Sequence, residues 1–212
     1  MMNLNSRAKL VVLHAHHSNI EYTESALKST YVEQIHHVDP GLIDAIKNKS
    51  TQQIEKRVQT QLEWLASAEP DAILITCTNY SLYIKETKIN DTPILKIDEL
   101  FLKSLIDYPT ATLYFTNPAT VEGTINRLKQ QPNVKADFQV EVIDHAFELL
   151  MSNKQDAYSE VIIDYIENNP PQGQIVFPQL SMHQAATYLK NKGLLFRHFT
   201  IGHKNQLTLY TE

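Results

Sequence analysis

The sequence predicts an α/β protein made of two similar Rossmann-like or flavodoxin-like lobes with parallel sheets, related by a pseudo-two-fold, with a cleft between them. Three observations carry this. Short apolar runs alternate with longer amphipathic stretches, the pattern of strands joined by crossover helices. The same order of elements restarts near residue 111, an internal repeat on the scale of a lobe. Several apolar runs end abruptly in small hydroxyl and amide residues, the mark of a strand-to-helix turn.

Taken in order, Leu10-Val11-Val12-Leu13 reads as the first strand, ending in His14-Ala15-His16-His17-Ser18. Residues 21–27 read as a short helix and residues 33–38 as a more polar strand. Pro40-Gly41 breaks the chain before a helix begun by Leu42, Ile43 and Ile46. Over residues 52–68, Ile54, Val58, Leu62, Leu65 and Ala66 recur at intervals of three and four, so that helix packs one stripe on a sheet. Trp64 is read as part of that packing. Ala72-Ile73-Leu74-Ile75 is short and wholly apolar, as a buried parallel strand should be. Thr76-Cys77-Thr78-Asn79 follows as a turn, with Thr78 or Asn79 as the expected helix cap. Residues 93–98 form the next strand, and Asp98 is expected to cap a helix over residues 99–106.

The second half repeats the layout. Residues 111–115 form a strand ending in Thr116-Asn117-Pro118-Ala119-Thr120, with Pro118 suited to the first helical position. A helix over 121–131, a strand over 138–143 and a helix start over 146–151 follow. A long helix over 158–168 has Val161, Ile162, Tyr165 and Ile166 as its stripe. Residues 174–177 form a strand leading into Pro178-Gln179-Leu180-Ser181-Met182, and a helix covers 183–190. Leu194-Leu195-Phe196 is read as the closing strand, and Leu207-Thr208-Leu209-Tyr210 as a last edge strand or dimer contact. The division drawn from the repeat places residues 1–98 and 188–212 in the first lobe and 99–187 in the second. In this repeat Cys77 falls opposite Gln179, and residues 14–18 opposite 116–120.

The composition is that of an ordinary globular protein, with 212 residues, 42% hydrophobic and 20% charged, and a formal net charge of −5. No basic face suited to a phosphate backbone is evident, which argues against nucleic acid. No apolar run approaches the ~18 residues of a membrane span. One cysteine cannot form an internal disulfide, in keeping with a reducing cytoplasm. With only five glycines, and no GxGxxG or GxxxxGK[ST] pattern, no nucleotide cofactor is indicated. The His14-His16-His17 loop lacks carboxylates at metal-site spacing, so no metal is expected.

Cys77 is the residue on which a function turns. Ligands of open α/β sheets bind beyond the carboxyl ends of the strands. A thiol at a helix N-terminus there gains thiolate character from the dipole. The competing reading is a buried cysteine that behaves as a small hydrophobe. The residues alone leave both open.

The chain resembles the aspartate/glutamate racemase superfamily over nearly its whole length. The resemblance is carried by Asp71-Ala72-Ile73-Leu74-Ile75-Thr76-Cys77-Thr78-Asn79, Pro93-Ile94-Leu95-Lys96-Ile97-Asp98-Glu99, Thr116-Asn117-Pro118-Ala119-Thr120 and Gln179-Leu180-Ser181-Met182, in that order. It implies a cofactor-independent enzyme of racemase, isomerase or decarboxylase type, acting on a small carboxylate or amino acid, and a homodimer. It implies Cys77 as the catalytic thiol, with His14, Ser18, Thr78, Asn79, Thr116, Asn117, Thr120, Gln179 and Ser181 around the substrate. Such enzymes use two cysteines, and this chain has Gln179 where the second is expected. Glutamine is neither acid nor base near neutral pH, so a symmetric two-thiol racemase is not implied. One-thiol chemistry, a histidine (His14, His16 or His183) in place of the second thiol, and a catalytically silent small-acid binder are the readings that remain.

Overall fold

The structure, a computed structural model, describes residues 7–103, 110–131, 137–171, 173–192 and 196–198. The chain divides into two compact units at Ile97/Asp98.

The first unit holds a five-stranded sheet in the order β2-β1-β3-β5-β4. Strands β1 (Ala8–His14), β2 (Val32–Val38), β3 (Ala72–Ile75) and β5 (Thr92–Lys96) run parallel. Strand β4 (Lys88–Ile89) joins β5 antiparallel across Asn90 and Asp91, whose φ angles of 45° and 65° suit a tight hairpin turn. This edge hairpin is absent from the sequence reading, because two residues carry no periodicity. Leu13 pairs with Ile75, so β1 and β3 end level. His14 and the Thr76-Cys77 turn are thereby brought to one end of the sheet.

Helices α1 (Asn19–Leu27), α2 (Gly41–Asn48), α3 (Thr51–Ala66) and α4 (Thr78–Leu82) connect these strands, and α5 (Ile97–Lys103), which follows β5, belongs to the second unit from Asp98 onward. Ser50 caps α3 in a reciprocal capping box: its Oγ accepts from Gln53 N–H, and Gln53 Oε1 accepts from Ser50 N–H at 3.0 Å. The expected stripe, Ile54, Val58, Leu62, Leu65 and Ala66, is buried in full against β1 and β3 residues such as Val11, Leu13, Ile73 and Ile75. Trp64 departs from expectation. It lies off the stripe, 57% exposed, with its ring edge-on to His37.

The second unit is built on a four-stranded, all-parallel sheet in the order β7-β6-β8-β9. Its strands are β6 (Thr110–Phe115), β7 (Asp137–Val142), β8 (Gln174–Phe177) and β9 (Phe196–His198). Helices α6 (Val121–Lys129), α7 (Ala146–Met151), α8 (Gln155–Asn168) and α9 (His183–Asn191) complete it. Its core gathers Tyr114, Tyr158, Ile162, Ile166, Phe177, Met182 and Ala186. Tyr158 and Ser159 join Ile162 and Ile166 on the buried face of α8, whereas Val161 and Tyr165 are only partly buried. The repeat assigns residues from 188 onward to the first lobe. In the structure α9 and β9 go with the second sheet, β9 pairing with β8. Leu194 and Leu195, and the expected segment 207–210, lie outside the described residues.

The first three strands of each sheet match in order and direction, β2-β1-β3 against β7-β6-β8. Each central apolar strand is four residues long and leads into a short helical turn two residues later. Cys77 and Gln179 are the residues entering those turns. Both are extended, at φ −106°, ψ 121° and φ −124°, ψ 126°.

Candidate functional site

In the first unit the site is built on the level ends of β1 and β3. Cys77 follows Thr76 past the end of β3 and is partly exposed, with its inner side against the apolar core. Thr78, Asn79, Tyr80 and Ser81 after it are all buried. Cys77 itself is the entry residue of α4, and no side chain caps the helix. The expected capping by Thr78 or Asn79 is therefore corrected. Helix α4 has five residues, so few peptide dipoles align behind the thiol, and the macrodipole argument for an activated cysteine weakens accordingly.

Behind the turn lies a chain of polar side chains. His14 is fully buried. Its Nδ1 is 2.9 Å from Thr76 Oγ1 and its Nε2 is 2.9 Å from His36 Nδ1. His36 Nε2 lies 2.9 Å from Glu24 Oε1. Thr76 Oγ1 is also 3.2 Å from the Leu13 carbonyl. Burial, with the nearby His36 and His37, pushes the His14 pKa down to about 3, so the ring stays neutral. Both ring nitrogens are engaged inside the protein. His14 therefore supports the turn and has no donor left for a substrate, which differs from the expectation of direct contact.

A second group braces the same turn. Asp39, just past β2, takes the Tyr80 hydroxyl and the Arg57 guanidinium, the latter at 2.8 Å. Burial and the Asp39 carboxylate push the Tyr80 phenol well above its ordinary range, so it acts as a fixed donor. Ser18 Oγ and N–H both approach His16 Nδ1, at 2.9 and 3.3 Å, so Ser18 orders the loop after β1. Among the described residues no group of three metal-ligating side chains converges.

In the second unit the turn after β6 meets the turn after β8. Continuing the register Leu113↔Val176 by three residues sets Thr116 opposite Gln179. Gln179 Oε1 accepts from Thr116 N–H at 2.6 Å, from Asn117 N–H at 3.3 Å and from the Thr116 hydroxyl at 3.1 Å. Three donors thus converge on one amide oxygen. The Tyr158 hydroxyl ties Thr116 Oγ1 at 3.1 Å to Ser181 Oγ at 2.9 Å. Asn117 caps the turn over Pro118–Thr120 by accepting from Ala119 N–H at 3.1 Å, with Pro118 at its first position as expected. Thr120 Oγ1 donates to the Asn117 carbonyl at 2.9 Å. Asp98 does not cap α5 but lies within its first turn, where it pairs with Arg127 at 2.5 Å. His183 opens α9, and burial lowers its pKa.

Thr116, Asn117, Gln179 and Ser181 are therefore one connected group, as are His14 and the Cys77 turn. The sequence reading did not place Thr76, His36, Glu24, Asp39, Arg57, Tyr80 or Tyr158 among the site residues. Of these only Thr76, inside a hydroxyl-rich turn, carried a local signal. The others act through pairings across 12 to 42 residues.

These features define an α/β protein with one mostly parallel and one all-parallel sheet and polar turns at the strand ends. No family model and no curated protein matches the chain. Solved structures do. The aspartate racemase of Picrophilus torridus superposes with a TM-score of 0.73 at 14% identity, over 91% of this chain and 89% of that one. The glutamate racemase of Francisella tularensis, solved in complex with D-glutamate, gives 0.67 at 13% identity over 92% and 77%. A mutant of arylmalonate decarboxylase gives 0.61 at 10% identity over 95% and 93%. The chain shares its fold with these racemase and decarboxylase structures.

Proposed function

We propose that this chain is a cofactor-independent enzyme acting on a small carboxylate or amino acid through the single thiol of Cys77. The observation that carries the reading is the placement of Cys77: partly exposed, at the carboxyl end of a central parallel strand, in a turn braced by buried polar groups. A thiolate there takes a proton from the carbon beside a carboxylate, and the thiol so formed returns it. The carboxylate then carries enediolate charge, which needs hydrogen-bond donors aimed at it. Thr78 and Asn79, with the loop ordered by Ser18, are the candidates to supply them. The superfamily fold, and the crystallised complex of one neighbour with D-glutamate, favour this substrate class.

The test is exchange of the α-proton for deuterium in D₂O, followed by NMR over a panel of small dicarboxylates and amino acids. Cys77→Ser is expected to slow exchange by about 10²-fold or more, the usual worth of a positioned acid–base group. Full activity in Cys77→Ser overturns the thiol reading.

One observation favours a second reading, a catalytically silent small-acid binder. Gln179 has no acid–base chemistry, and its own oxygen takes the donors of the Thr116 turn. Such a protein shows a ligand-dependent rise in melting temperature with no α-proton exchange.

A further inference from the structure

The buried polar chain behind Cys77 has an arrangement that hydrogen-bond positions alone would not require. Thr76 Oγ1 has two partners, the Leu13 carbonyl and His14 Nδ1, but only one proton to donate. Glu24, when ionised, can only accept, so His36 Nε2 must carry a proton. Two proton arrangements then satisfy the contacts of both histidines and of Glu24, and they differ in which acceptor, His14 Nδ1 or the Leu13 carbonyl, takes the Thr76 proton. In the first, His36 is neutral, His14 donates from Nε2 to His36 Nδ1, and Thr76 donates to His14 Nδ1. In the second, His36 is doubly protonated, donating to both His14 Nε2 and Glu24. His14 now donates from Nδ1 to Thr76, and Thr76 donates to the Leu13 carbonyl. The two differ by one proton and by the tautomer of His14, with no heavy atom required to move.

We infer that Thr76, His14, His36 and Glu24 form a proton relay between the Cys77 turn and a solvent-facing His36–Glu24 pair. Exposure rises along it: His14 is fully buried, the His36 side chain is 15% exposed and that of Glu24 is 56% exposed. The step balances. A proton arriving at Thr76 Oγ1 releases the hydroxyl's own proton to His14 Nδ1. His14 passes its Nε2 proton to His36 Nδ1, and His36 becomes an imidazolium held by the Glu24 carboxylate. The reverse sequence returns the proton to the turn. His14 is neutral in both arrangements, in keeping with its low pKa. The charged neighbours acting on it are His36 and His37, both from β2. His14, His36 and Glu24 are thus positioning residues. Their use in chemistry at Cys77 rests on the function proposed above, but the relay is read without a substrate, so either idea can fail alone.

The experiment is a pH titration of ¹⁵N-labelled imidazoles by NMR, over about pH 5 to 8, on the intact protein. His14 is expected to stay neutral and to switch from Nε2–H to Nδ1–H in step with the second protonation of His36. Glu24→Gln, a change at an exposed end, should move both transitions together to lower pH. A His14 that keeps one tautomer while His36 titrates overturns the relay. So does a His14 that itself becomes charged in that range. Cys77→Ser should leave the tautomer switch intact.

Discussion

His14 shows what a single buried ring imposes on the stability of the whole chain. Its pKa falls from 6.5 to about 3 on folding. Below pH 6.5 the unfolded chain binds a proton that the native ring refuses, so stability is complete above that pH and is lost as pH falls toward 3. Between pH 7 and pH 5 the loss from this group is about 2 kcal/mol. Urea midpoints at the two pH values should show it, and His14→Gln should show a smaller drop. Gln179 gives a second residue-scale expectation. Gln179→Ala strands the buried N–H groups of Thr116 and Asn117, at a cost of about 1–3 kcal/mol. Gln179→Glu keeps an acceptor oxygen in place and should recover most of that in the same denaturation measurement. The position of Cys77 past the end of a strand was legible in the sequence, since the cysteine comes one residue after an apolar run. Its partners were not. The His14–Thr76 contact depends on how two strands 62 residues apart align, and no local pattern encodes that alignment.

The elements were legible where a period is long enough to read. The α3 stripe is buried as the spacing predicted, and the Ser50–Gln53 box marks its start. Ser50→Ala should cost about 1 kcal/mol, seen as a lower thermal midpoint. Where a residue belongs to a tertiary pair, local reasoning misplaced it. Asp98 was read as a cap, but its 2% exposed carboxylate meets Arg127 of α6. Removing one member of such a pair leaves the other charge buried alone. Asp98→Ala is therefore expected to destabilise by about 3–5 kcal/mol, measured by denaturant unfolding. Trp64 shows the opposite error, since a large apolar side chain one step from a buried stripe faces outward.

Over the whole molecule the alternation of strand and helix was sufficient for the fold, because crossover connections force parallel pairing and each sheet then covers itself with helices. The repeat was legible too, and the structure gives it backbone content, since Cys77 and Gln179 sit at the same point of matching strand-turn units in the same conformation. What the alternation could not reveal is that one of those two points carries a partly exposed thiol and the other an amide oxygen whose donors are already in place. The Gln179 oxygen behaves as a ligand tethered to its own receptor. A tethered ligand acts at an effective concentration on the order of millimolar and cannot be diluted away. A free anion at micromolar concentration must outcompete it, and leaves the Thr116 turn as it found it unless it brings contacts of its own.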